Sequence, residues 1–106
     1  MPDKWIAKFQ AEVLPQIIEG IKPSRVLIFG SRAKGKATEE SDIDVILVSA
    51  TFAGIPFIKR MEKVIKLARF PKHIDYLCYT PEEFERIKKS SSIIEDALED
   101  HIEAIP

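Results

Sequence analysis

Two apolar runs joined by a short polar link constrain this chain more than any other feature. Arg25-Val26-Leu27-Ile28-Phe29 reads as a strand, and Ile43-Asp44-Val45-Ile46-Leu47-Val48 reads as another, both rich in β-branched residues. Gly30-Ser31 follows the first run, ten residues intervene, and Asp42-Ile43-Asp44 opens the second. A small, hydroxyl-bearing turn is thereby tied to a pair of carboxylates, with both predicted to lie on sheet edges.

Side chains along a strand alternate between its two faces, so Asp42 and Asp44 share one face. Two carboxylates a few ångströms apart repel by about 4 kcal/mol at an effective dielectric of about 20. An otherwise apolar strand carries such a pair when a cation compensates it. With no cluster of Cys or His nearby, oxygen ligands suit a hard ion, Mg²⁺ or Mn²⁺, which completes its shell with phosphate and water. Upstream, Gly30 permits a positive φ and a close backbone approach, while Ser31 offers a hydroxyl and an N–H to a phosphate oxygen. Arg32, Lys34 and Lys36 supply cations to a triphosphate.

Two other motifs fail on these residues. Gly30 to Lys36 matches the opening of a P-loop, but Ala37 stands where a Ser or Thr must reach Mg²⁺. The next strand also follows too soon for the helix whose N-terminus would bind the phosphates. An EF-hand loop needs further polar ligands and a glycine where this chain continues with Val45-Ile46-Leu47.

Gly-Ser, ten residues and Asp-x-Asp, within the run FGSRAKGKATEESDIDVILV, resemble the nucleotidyltransferases of the DNA polymerase β type, and in particular their minimal nucleotidyltransferase group. The resemblance implies an α/β (α+β) fold, a small mixed sheet of about three strands flanked by helices, over a single domain of residues 1–106 with its core in about 1–80. It also implies a third carboxylate on a later strand, a role that Asp75 fits in the β-rich run His73 to Tyr79. On this reading Asp42, Asp44 and Asp75 are catalytic and hold two Mg²⁺ ions, with Mn²⁺ as a substitute, while Gly30, Ser31, Arg32 and Lys34 bind the nucleotide. Members of the group act as antitoxins of two-component systems with a small helical HEPN-type toxin. The implied reaction is transfer of AMP from ATP to a hydroxyl, a tyrosine, of that partner.

Composition fits a small cytoplasmic protein. Of 106 residues 45% are hydrophobic, and 16 basic side chains nearly balance 17 acidic ones, which argues against broad nucleic-acid binding. No apolar stretch reaches the roughly twenty residues of a membrane span, and Met1 to Trp5 lacks the pattern of a signal peptide. The lone Cys78 lies in a predicted strand and reads as a buried, inert thiol.

Apolar spacing from Trp5 to Ile21 predicts a helix over about 3–20, restarted near Pro15 and ended by Gly20 and Pro23, with Trp5 in the core or an interface. A second helix is predicted over about 55–70, with Lys59, Arg60, Lys63, Lys66 and Arg69 facing water. Thr80-Pro81-Glu82-Glu83 reads as a capping box opening a helix to about Lys89. Ser90 to Ser92 interrupt it before a last amphipathic helix, to about 104, whose stripe is Ile94, Leu98, Ile102 and Ile105. That stripe either covers the domain's own sheet or docks another chain, and an assembly with other subunits fits better than a monomer. His73 and His101 belong to no His cluster and read as incidental. Two alternatives to protein modification stand beside it: nucleotidyl transfer to a small molecule or RNA, and a non-catalytic antitoxin that neutralises its partner by binding alone.

Overall fold

A computed structural model describes residues 3–105; residues 1, 2 and 106, the ends of the expected domain, lie outside the described residues. The chain opens with α1 (Lys4–Glu12) and α2 (Leu14–Ile21), two helices that meet at Val13. Asp3 caps α1 by accepting the Trp5 and Ile6 N–H groups, and Pro15 lies in the first turn of α2, where its missing N–H is tolerated. The predicted restart near Pro15 is therefore observed. α2 ends on Lys22 in the left-handed conformation (φ 45°), just before Pro23.

The strands are β1 (Arg25–Phe29), β2 (Ile43–Val48), β3 (Ile74–Tyr79) and β4 (Ile102–Glu103), in the order β3-β2-β1-β4. β1 is antiparallel to β2 and to β4, whereas β2 and β3 run parallel through the crossover helix α4 (Phe57–Ile65). α3 (Gly30–Ala33) is a single turn after β1; α5 (Pro81–Ile87) and α6 (Ser92–Glu99) follow β3. The two motif strands are thus the interior strands of the sheet, and the motif lies at their ends rather than along an edge.

Both faces of the sheet are covered. Val26, Ile28, Ile43, Val45, Leu47, Ile74 and Tyr76 pack with α1, α2 and Val64 of α4, around Phe9 and Ile17. The opposite parity, Leu27, Ile46 and Val48, packs with Phe84 of α5 and with Ile94 and Ala97 of α6. Double coverage explains why β2 reads as a nearly unbroken apolar run rather than an alternating one.

Three expectations are corrected. The helix expected to 70 stops at Ile65, where the Leu67 N–H turns to the Val64 carbonyl and tightens the last turn. Arg60 on that helix is buried, where it binds the Ile55 and Cys78 carbonyls and both carboxylate oxygens of Glu83. The last helix stops at Glu99, and Ile102 pairs with Ile28 as strand β4, raising the count from about three strands to four. β1 would otherwise present unpaired N–H and C=O groups, so sheet completion outweighs the helical spacing of the tail. Arg25 locks this strand by donating two bonds to Glu103, at 2.9 and 3.0 Å. The capping box formed as read: the Thr80 hydroxyl accepts from Glu83 N–H while the Glu83 carboxylate accepts from Thr80 N–H. No helix among the described residues is long and apolar enough to cross a membrane.

Candidate active site

Register builds the site. Phe29 lies opposite Asp44 across β1 and β2, and Asp44 opposite Asp75 across β2 and β3, so one row of three strands carries both acids. Their parity is that of Ile46 and Val48, the face covered farther along by α5 and α6. Asp42 precedes β2 by one residue and shares this parity.

Gly30 follows Phe29 directly. Its φ is +78°, and a Cβ added there would fall 2.2 Å from Asp44 Oδ2. Both the backbone angle and the adjacent carboxylate therefore require glycine. Ser31 stands in the single turn α3, half-buried, and among the described residues its hydroxyl makes no hydrogen bond.

Electrostatically the site is under-compensated. Burial pushes the Asp44 carboxyl above the usual range; the charges of Asp75 and Asp42 push the same way, and His73 alone opposes them. Asp42, His73 and Asp75 each offer a ligand atom, and these atoms lie within 4.8 Å of one another. Asp44 lies outside that set, its carboxylate turned against Gly30. The donor set, carboxylate oxygens with one imidazole, suits a divalent cation, which would relieve the repulsion felt at Asp44. A groove of about 410 Å³, lined by Ile65, Arg69, Phe70, Lys72, His73 and Tyr76 among others, opens beside the cluster.

The cations expected at the phosphates are placed differently. Arg32 is buried: its Nε donates to the Ser41 carbonyl (2.7 Å), one terminal nitrogen to Asp3 (2.8 Å), and the other to the Thr38 and Glu39 carbonyls (3.0 Å each). The guanidinium thus pins the loop between α3 and Asp42 instead of facing a ligand. Burial raises the pKa of Asp3, yet bonds from Ile6 N–H, Arg32 and Trp5 N–H prevail and hold its carboxyl below the usual range. Lys34 reaches Asp96 of α6 at 3.3 Å.

Reading by residue type missed His73, whose Nε2 lies 2.8 Å from Asp75 Oδ1. Its signal was proximity in sequence: His73 and Asp75 are two apart in an extended run, hence on one face. His101 lies at the far edge, 2.8 Å from Glu103. Cys78 is buried as expected, and burial pushes its thiol up to about 12 despite the opposing charge of Arg60. Trp5 packs edge-on against Phe70 at the margin of the core, with Lys72 over its ring.

Comparison with known proteins places the chain in a family. A nucleotidyltransferase domain model matches residues 11–103. A candidate protein adenylyltransferase of Methanocaldococcus jannaschii is 37% identical over 75 residues, covering 70% of this chain and 72% of its own length. The crystal structure of a candidate nucleotidyltransferase from Sulfolobus solfataricus superposes with a TM-score of 0.55 at 26% identity, over 95% of this chain and 86% of that one. A toxin-antitoxin structure with AMP-PNP shares the fold at a TM-score of 0.63 and 20% identity, covering 91% of this chain and 72% of that one. With the match running through both motif strands and Asp75, the chain belongs to the nucleotidyltransferase domain family, as a member of its minimal type.

Proposed function

We propose that this chain transfers AMP from ATP to a hydroxyl, a tyrosine, of a small helical HEPN-type toxin and so acts as that protein's antitoxin. The observation that carries the chemistry is the pairing of Asp44 with Asp75, with Gly30 against the Asp44 carboxylate and Asp42 and His73 beside them at one end of the sheet. Two findings support the protein substrate and the nucleotide: the relative described as a candidate protein adenylyltransferase, and the fold shared with a toxin-antitoxin assembly holding AMP-PNP. The tyrosine and the HEPN type rest on the family resemblance.

Asp42, Asp44 and Asp75 would hold two divalent ions, Mg²⁺ or Mn²⁺, which when bound would supply positive charge against the triphosphate and acidity to the acceptor hydroxyl. Gly30 leaves room for phosphate at the turn, and Ser31 orients a phosphate oxygen through its hydroxyl and N–H. Lys34 remains the cation of the cradle, since an ion pair as exposed as that with Asp96 exchanges readily. Arg32 acts one step back by holding the loop that delivers Asp42. Asp75 takes the hydroxyl proton as the acceptor oxygen bonds to the α-phosphorus and pyrophosphate departs.

The test is labelling with ATP carrying radioactive phosphorus at the α position, added with Mg²⁺ and purified protein to lysate of its source cells. An α-only label on a small protein, lost in Asp44→Asn and absent with γ-labelled ATP, is the expected result. Label on RNA or a metabolite would replace the protein acceptor. A co-purifying partner that never becomes labelled would replace catalysis with neutralisation by binding.

A further inference from the structure

We infer that His73 is a nitrogen ligand of the divalent cation, so that this site is not an all-oxygen one and favours Mn²⁺ over Mg²⁺. The inference rests on the metal-binding part of the proposed function and adds one residue and one ion preference to it.

The geometry carries it. One nitrogen of His73 and one oxygen each of Asp42 and Asp75 lie mutually within 4.8 Å, near enough for small side-chain rotations to bring all three onto one ion. His73 precedes β3, and its side chain and that of Asp75 are more than half and about half exposed, so both can adjust onto an ion. The 2.8 Å contact between His73 Nε2 and Asp75 Oδ1 puts an N–H where the carboxylate would otherwise meet a cation. With the proton on Nδ1 instead, the same nitrogen presents its lone pair to that position, with no change in charge. His101 provides an internal contrast: its Nε2 is also 2.8 Å from a carboxylate, that of Glu103, yet it belongs to no such three-residue cluster among the described residues.

Imidazole changes which ion is favoured. Mg²⁺ prefers oxygen donors and holds its waters tightly, whereas Mn²⁺ accepts a nitrogen ligand more readily. Removing His73 should therefore weaken Mn²⁺ and leave Mg²⁺ nearly unchanged.

The experiment uses the full chain with Mn²⁺ alone, without nucleotide. Electron paramagnetic resonance follows binding through loss of the free-ion signal, and electron spin echo modulation reports a ligating ¹⁴N. The wild type should bind Mn²⁺ with an imidazole nitrogen in its modulation. His73→Gln should lose that nitrogen and bind Mn²⁺ about tenfold more weakly, a typical effect of altering a metal's immediate surroundings. His101→Gln should keep both, and circular dichroism melts of the variants should match the wild type. Bound Mn²⁺ with no nitrogen in the wild type, or a nitrogen that survives His73→Gln, overturns the inference and leaves the metal reading standing. Failure to bind Mn²⁺ at all overturns both.

Discussion

The two ends of the same sheet treat clustered charge in opposite ways. At the end of β3, Glu83 faces the buried guanidinium of Arg60 and accepts the Thr80 N–H, and the Arg60 bond above all holds its carboxyl down to about 2. At the start of β2 and β3, Asp42, Asp44 and Asp75 gather with one imidazole opposite among the described residues, and Asp44 is pushed up by burial and by its acidic neighbours. The first end satisfies its charges within the chain and serves the fold. The second leaves its charges without such partners in the chain, the pattern expected of a site that binds a cation under the proposed function.

Substitutions at the two ends should therefore differ in kind. Asp44→Asn should reduce AMP transfer by about 10³-fold or more, measured as initial rate of α-label incorporation, because it removes a carboxylate central to charge stabilisation. Its effect on folding should have the opposite sign. A carboxyl whose folded pKa is raised favours the folded state below its ordinary value of 3.8 and withdraws that support as pH rises through the folded value. At neutral pH the amide should leave the melting temperature equal to or above that of the wild type, and a clear fall would break the contrast.

Arg60→Ala tests the other end. It strands Glu83 and two carbonyls and should destabilise the fold by about 3 kcal/mol in urea unfolding, within the range for broken buried pairs. Transfer activity per folded molecule should stay near wild type. Gly30→Ala joins the two kinds of effect, since the positive φ and the Asp44 carboxylate both oppose a Cβ. Equilibrium unfolding should show a loss of about 1 to 3 kcal/mol, and nucleotide turnover should fall with it.

Acid titration sharpens the difference. Glu83 has a folded pKa of about 2 against an ordinary 4.5, so its contribution is complete above pH 4.5 and disappears as pH falls toward 2. The stability gap between wild type and Glu83→Gln should accordingly narrow across that window; a gap independent of pH would show that shape, not charge, holds the pair. The smallest effect belongs to Glu103→Gln at the exposed β4 edge, where loss of the Arg25 pair should cost no more than about 1 kcal/mol in the same unfolding assay.

What could be read in advance was local. The Asp-x-Asp strand, the glycine before Ser31, the restart near Pro15 and the Thr80-Glu83 capping box each involve residues within a few positions of one another. Their spacing alone carries the physics. Arg32 and Arg60 were misread because a long cationic side chain looks the same in sequence whether it enters water or reaches a buried carbonyl. Arg32 acts on Asp3, Thr38, Glu39 and Ser41, and no local pattern announces that set. His73 could have been found, for it shares a face with Asp75, but its partner across the site is Asp42, a strand away.

The sequence by itself determined the first three strands, the polar turn, and the shared face of Asp42 and Asp44, because period, caps and turn chemistry act over one or two turns of chain. Only the tertiary structure decided that Asp44 stands beside Asp75 in parallel register, that Arg32 closes a loop, and that Ile102 leaves a helical stripe to complete β1. Each of these depends on which backbone edges and buried charges find partners across the fold. Unpaired backbone and unpaired charge are too costly inside a protein to be left to local preference.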